Sequence, residues 1–326
     1  MYKMPIPIEA TVSEINLPVI DISKFPLDFD SEELNHLEHH PELAKFRLAC
    51  KEWGIFHLVN HGIPVDILDK AENSFHLRDP TTPGSFDKML AMICPEGNAN
   101  FYETMATYSL YVADLAKKLA KLIVSSLGLD VKAFYHSQFE KYYSVVRLNG
   151  YSAKNMSIGE WALLSHTDLG CLTILYQDDV GGLQARSKEG EWFDVKPFPH
   201  QFVIKLGDSL KAWTNGRYHS PEHRVVYKGC KDRISIAFFT SFPEEKEIWA
   251  PEELVDENNP RRYKPFTYSH FWDSSAIKNK NDKDKATLLD RFADDVATDV
   301  AVRTDDCVYG ISTWHSTEAA ALSYGK

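Results

Sequence analysis

The chain reads as a mainly β protein with flanking helices, an α+β arrangement in which a helical N-terminal region leads into a sandwich or barrel of short strands. Two observations carry this. Before Tyr142, apolar residues recur at helical spacing, as in Leu115, Leu119, Leu122 and Ile123. After it, short runs rich in Val, Ile, Leu, Thr and Phe alternate with Gly, Asp, Pro and Asn turns, the pattern of an all-β unit. A jelly roll of such strands leaves an open mouth where residues from opposing strands converge.

Taken in order, Leu17–Ile22 predicts a short strand, and Glu42–Trp53 a helix. Gly54–Asn60 alternates as a strand, and Pro64-Val65 starts a second helix with proline near its first turn. Asn100–Leu127 predicts a long helix capped by Gly128. Strands are expected at Val145–Leu148, Leu172–Tyr176, Leu183–Ala185, Trp192–Val195, Phe202–Leu206, His223–Tyr227 and Ile234–Phe239. Asp208 and Asn215-Gly216 are expected to shape tight turns. Lys278–Lys285 is a charged tract expected to be a solvated loop.

Composition narrows the function classes. A net charge of −11 over 326 residues argues against nucleic acid as a partner, since phosphate binding needs clustered cations. Met1–Leu17 lacks an apolar h-region, and Leu110–Leu127 carries Asp114, Lys117, Lys118 and Lys121, so neither a leader nor a membrane span is expected. The five cysteines, Cys50, Cys94, Cys171, Cys230 and Cys307, are widely spaced and odd in number, which fits free thiols in a reducing compartment. The expectation is a cytosolic protein acting on a small molecule, with no membrane and no protein partner implied.

The chemistry concentrates in His166-Thr-Asp168 and His223. Two imidazoles and one carboxylate can hold Fe(II) on one face of its coordination sphere and leave other positions open, whereas three histidines would suit zinc or copper. Ten residues beyond His223, Arg233 and Ser235 alternate within an apolar run, so on a strand both point to one face. Arginine is the side chain best suited to bidentate capture of a carboxylate. These residues describe a metal site and an anchor for the far end of a chelating diacid.

Many blocks in fixed order carry a resemblance. They are Leu17–Asp21, Ala49–Phe56, Val59–Ile63, Arg147-Leu-Asn-Gly-Tyr151, His166–Asp168, Leu206–Asp208, Trp213–Arg217, His223–Val225 and Arg233–Ser235. Over residues 17 to 293 the chain resembles the plant-type 2-oxoglutarate- and Fe(II)-dependent dioxygenases. Glu191-Trp192, Ser220-Pro-Glu-His223, Glu253–Asp256 and Tyr263–Phe266 are most similar to the subgroup acting on glucosinolate side chains, whose neighbours act on other specialised metabolites and on auxin. The resemblance implies a double-stranded β-helix core at 136–293 with C-terminal helices, preceded by an N-terminal region at 1–135. It assigns His166, Asp168 and His223 to Fe(II), and Arg233, Ser235 and Tyr151 to 2-oxoglutarate. O2 is the oxidant. On this resemblance, succinate and CO2 are expected to be released while a specialised metabolite or hormone is hydroxylated, desaturated or cyclised.

Two departures from the family stand out. The stretch between 63 and 100 is several dozen residues shorter than in relatives, and 294–326 extends past their usual end. Two alternative functions follow: an Fe(II) oxidase on the same scaffold that does not use 2-oxoglutarate, and a catalytically silent small-molecule-binding protein. By analogy of position, Phe101, Tyr102, Tyr143, Leu164, Tyr176 and Phe239 are candidates for the substrate pocket. Lys205 is expected to face solvent by alternation; turned inward, it could meet an acidic substrate group. His36, His39, His40, His57, His61 and His219 are expected to be surface or packing residues.

Overall fold

Two β-sheets face each other across the strand-rich half, and they alternate in sequence. The computed structural model describes residues 15–26, 37–76, 99–229 and 231–276, together with Leu289 and Phe292. Most of the shortened 63–100 stretch, the 278–285 tract, the 294–326 extension, His36, Cys94, Cys230 and Cys307 lie outside the described residues, as do the side chains of Phe101 and Tyr102.

The N-terminal part supplies β1 (Val19–Asp21), α1 (Pro41–Leu48), β2 (Ile55–Val59), α2 (Val65–His76), α3 (Ala99–Ser126) and the short α4 (Val131–Phe134). Pro41 opens α1, where its missing N–H costs nothing, and the His40 ring accepts from the Glu42 amide as N-cap. The predicted Glu42–Trp53 helix ends in a π-helical turn, Ala49–Trp53, stopped by Gly54 in the left-handed region at φ 62°. That position also needs glycine for space, because a Cβ there would lie 2.1 Å from the His219 carbonyl oxygen. In α3, Tyr108, Val112, Leu115, Leu119, Leu122 and Ile123 are buried along one stripe, the amphipathic pattern of a helix laid on a sheet.

The strand-rich part runs β3 (Tyr143–Tyr151), β4 (Trp161–His166), β5 (Leu172–Gln177), β6 (Leu183–Arg186), β7 (Trp192–Asp194), β8 (Phe202–Leu206), α5 (Asp208–Trp213), β9 (His223–Val226) and β10 (Arg233–Ser241). After these come β11 (Glu247–Ile248), β12 (Phe266–Thr267) and α6 (Tyr268–Ala276). The larger sheet has the order β1-β2-β8-β5-β10-β3 and the smaller one β4-β9-β6-β7. Within β3–β10 the chain passes between these two sheets, which is the double-stranded β-helix.

Register sorts the side chains of the larger sheet. Lys205 opposes Thr173, which opposes Phe239, and Ser235 opposes Gln177 on one side and Asn149 on the other. These residues, with Val203, Leu175 and Ala237, line the face turned toward the smaller sheet. Residues of opposite parity, such as Ile174, Tyr176, Phe202, Ile204, Ile236 and Phe238, belong to the core shared with the helices. Both faces of the larger sheet are therefore covered. Consequently Lys205 does not face solvent: it is 4% exposed, because β8 is a central strand and its alternate face looks into the jelly roll. Tyr176 likewise lies on the helix side, tilted at 58° against Phe202 at 5.7 Å between ring centroids, and not in the cavity.

Candidate active site

The two halves of the donor set come from paired strands. His166 ends β4 and opposes His223 at the start of β9, and Asp168 follows two residues later on the turn into β5. Asp168 Oδ1 lies 3.7 Å from His166 Nε2 and 3.5 Å from His223 Nε2. The ligand atoms of the three residues fall within 4.8 Å of one another.

Orientation suits a metal. His166 Nδ1 is 2.8 Å from the Leu164 carbonyl and His223 Nδ1 is 3.2 Å from that of Pro221. A carbonyl only accepts, so each Nδ1 carries the proton and each Nε2 presents its lone pair to the site. Burial lowers the affinity of both rings for a second proton, strongly so for His223. Burial alone would raise Asp168, but Lys205, His223 and His166 outweigh it and hold the carboxylate ionised, well below its usual range. Thr173 Oγ1 donates to Asp168 Oδ2 at 2.6 Å and fixes its rotamer. Two neutral imidazoles and an anchored carboxylate fit a divalent ion that prefers mixed nitrogen and oxygen donors.

The turn bearing Asp168 is held by the start of α5. The Asp208 amide donates to the Asp168 carbonyl at 2.8 Å, and the Ser209 hydroxyl to that of Leu169 at 2.6 Å. Thr167 Oγ1 donates to Asp208 Oδ2 at 2.7 Å. Burial pushes the Asp208 carboxyl up to about 6, against the pull of its hydroxyl donors. Gly207 admits this contact, since a Cβ there would lie 2.2 Å from the Gly170 oxygen and 2.8 Å from that of Asp168. Asp208 thus opens a helix and braces the Asp168 turn. Asn215 (φ 53°) and Gly216 (φ 75°) form the expected tight turn.

Arg233, Ser235 and Tyr151 also come together. Arg233 is 1% exposed and opposes Tyr151, whose ring centroid lies 5.5 Å from the guanidinium carbon. Its Nε donates to the Gly181 carbonyl at 2.6 Å, Nη1 to Ser235 Oγ at 3.1 Å and Nη2 to Gln177 Oε1 at 3.1 Å. Those bonds use three of the five guanidinium donors. Among the described residues no carboxylate forms an ion pair with Arg233, and burial already lowers its proton affinity. The buried Asp178 carboxylate bears on its charge only from beyond ion-pair distance, so the unused guanidinium donors can receive an anion.

Two cations occupy the cavity side against or beyond the sequence reading: Lys205, expected to face solvent, and Arg147, to which that reading assigns no role. Lys205 Nζ lies 2.8 Å from Asp168 Oδ2 and 2.6 Å from His223 Nε2. Arg147 shares the inward parity of Asn149 and Tyr151 on β3, and its charge bears on His166, Lys205 and Tyr151. Each sits at an inward position of a sheet covered on both faces, a fact that strand alternation alone does not reveal. Of the pocket candidates, Phe239 lies on the Lys205 row, Tyr143 packs against Tyr268 at 6.5 Å, and Leu164 is 63% exposed.

A jelly roll with two imidazoles and a carboxylate converging between its sheets has the layout of the mononuclear non-haem iron oxygenases. The comparisons agree. The 2OG-Fe(II) oxygenase superfamily model matches residues 138–241, and the N-terminal model of the non-haem dioxygenases in morphine synthesis matches residues 17–76. A gibberellin 20-oxidase-like protein of Arabidopsis thaliana is 32% identical over 74% of this chain and 85% of its own length. The crystal structure of the dioxygenase for auxin oxidation in rice superposes with a TM-score of 0.69 and 27% identity, over 85% of this chain and 100% of that one. The structure of JOX2 in complex with 2OG, Fe and JA gives 0.66 and 25%, over 81% and 86%. The chain belongs to the 2OG-Fe(II) oxygenase superfamily. It is an oxidoreductase that works with Fe(II), 2-oxoglutarate and O2.

Proposed function

We propose that His166, Asp168 and His223 hold Fe(II), that Arg233, Ser235 and Tyr151 hold the distal carboxylate of 2-oxoglutarate, and that the substrate is a small carboxylated metabolite or hormone. The observation that carries this reading is the pairing of a convergent two-imidazole, one-carboxylate set with a buried Arg233 that forms no ion pair among the described residues, inside one jelly roll. When bound, the iron and its co-substrate supply an oxidising centre that turns 2-oxoglutarate and O2 into succinate and CO2 while oxidising a C–H bond.

The protein's own contribution is orientation. The carbonyls of Leu164 and Pro221 fix both histidine tautomers. Gln177, Gly181 and Ser235 hold the guanidinium of Arg233 and leave one N–H unused on each terminal nitrogen. An acidic substrate is supported by Arg147, a cation at an inward position that forms no ion pair among the described residues. It is also supported by the auxin and JA named for the similar rice and JOX2 structures. The net charge of −11 favours a free small molecule over nucleic acid. Among the described residues no helix is long and apolar enough to cross a membrane, and the two described cysteines, Cys50 and Cys171, are buried free thiols. Both observations are compatible with a cytosolic enzyme, whose working unit we take to comprise the 1–135 and 136–293 regions.

Anaerobic titration of the Fe(II)-loaded protein with 2-oxoglutarate tests the reading. A weak visible charge-transfer band should grow with 2-oxoglutarate and be absent in Asp168→Ala. Bound iron without the band would favour the 2-oxoglutarate-independent oxidase, and succinate formation under O2 separates the two. Succinate formed with no acceptor oxidised would favour the silent binder.

A further inference from the structure

Lys205 stands where an incoming metal must compete with it. Its ammonium is 2.6 Å from His223 Nε2 and 2.8 Å from Asp168 Oδ2, and the side chain is 5% exposed. His223 Nδ1 faces the Pro221 carbonyl, so Nε2 carries the single in-plane lone pair of that ring. A lone pair that accepts from an ammonium cannot at the same time ligate a metal. Asp168 Oδ2, held by Thr173 Oγ1 at 2.6 Å, also accepts from the ammonium and ties Lys205 to this corner. Lys205 and a divalent ion are therefore alternative occupants of the His223–Asp168 corner. When the ion wins, the displaced ammonium and the nearby Arg147 leave the cavity with an excess of positive charge. A dianionic co-substrate lowers that excess.

We propose that Lys205 is the resident cation of the metal site. A bare divalent ion binds weakly because it must displace Lys205 from His223, and 2-oxoglutarate tightens metal binding by compensating the charge. Metal and co-substrate then load interdependently. This rests on the assignment of His166, Asp168 and His223 as ligands.

The test is Co(II) binding to the metal-free full chain, followed by visible absorption and calorimetry, with and without 2-oxoglutarate. Lys205→Met keeps the length and apolar stem but removes the charge, and Lys205→Asn serves if the methionine variant does not fold. Without 2-oxoglutarate, the neutral variant should bind Co(II) at least tenfold tighter than wild type. Adding 2-oxoglutarate should tighten the wild type by a larger factor than the variant. Equal or weaker Co(II) binding in both neutral variants overturns the proposal, and an equal effect of 2-oxoglutarate overturns its charge-compensation half. Independently of any variant, ¹⁵N NMR of the metal-free wild type should show a hydrogen-bonded Nε2 at His223 and not at His166. Equivalent signals count against the proposal. Asp168→Ala provides the separation: if it still binds Co(II) like wild type, the ligand assignment falls and the inference with it. If it loses binding while Lys205→Met matches wild type, only the inference falls.

Discussion

Arg233 is the residue whose chemistry is most constrained by its surroundings. Its buried guanidinium is braced by Gly181, Gln177 and Ser235 and stacked over Tyr151, with two donors left. A lysine in its place would keep the charge but lose the planar fork. A charge-assisted hydrogen bond is worth roughly 1.5–3 kcal/mol, so Arg233→Lys should raise the 2-oxoglutarate concentration for half-saturation by roughly tenfold to a hundredfold. Fe(II) or Co(II) binding should change much less. An unchanged 2-oxoglutarate requirement would remove Arg233 from the site. Asp168 is constrained differently: its Oδ1 faces both imidazoles, while Thr173 and Lys205 contact Oδ2.

At the scale of elements, the Asp168 turn is shaped by the helix that follows β8. The first turn of α5 donates backbone and hydroxyl hydrogen bonds to the carbonyls of Asp168 and Leu169, and Gly207 allows the two segments to touch. Gly207→Ala would press a methyl group against the carbonyls of Asp168 and Gly170. Overpacking of this kind costs about 1–3 kcal/mol, and relief requires the Asp168 turn to move. The variant should be destabilised in denaturant melts and should bind Co(II) more weakly. Gly150→Ala is the matched control, because a Cβ there meets nothing within 4 Å; its melt should coincide with that of wild type. If Gly207→Ala binds metal normally, the brace on Asp168 does not matter.

For the whole molecule, acid stability follows from groups buried without charge. His57 on β2 is 3% exposed, its Nδ1 has no hydrogen-bond partner, and burial pulls its proton affinity down to about 4. In the unfolded chain the ring titrates near 6.5. Above that pH both states are neutral and the contribution is full. As pH falls from 6.5 toward 4, the unfolded state takes the proton first and stability is lost. By pH 4.5 the loss should reach about 2–3 kcal/mol. His57→Leu should flatten the stability profile by that amount between pH 7 and 4.5, measured by chemical denaturation at each pH. An unaltered slope would show that His57 is hydrated or paired in solution.

Local pattern and residue type were enough to read much of this protein. The predicted strand Phe202–Leu206 and the helix ending near Ser126 match the observed elements, because alternation and helical periodicity are properties of consecutive residues. The pairing of His-x-Asp with a later histidine and an Arg-x-Ser strand named residues that the fold brings together. Trp161–His166 was not read as a strand: its residues range from half-buried to exposed and give no clean alternation. Nor was the Asp208–Trp213 helix, in which five of six residues are buried, leaving no polar stripe to mark its period. What only the tertiary structure decided was direction. Whether Lys205 meets water or Asp168, and whether Tyr176 lines the cavity or the helices, depends on which strands flank β5 and β8 and on what covers each face. Alternation says that neighbours point opposite ways; only the packing of a second sheet and α3 on the two faces says which way is inside.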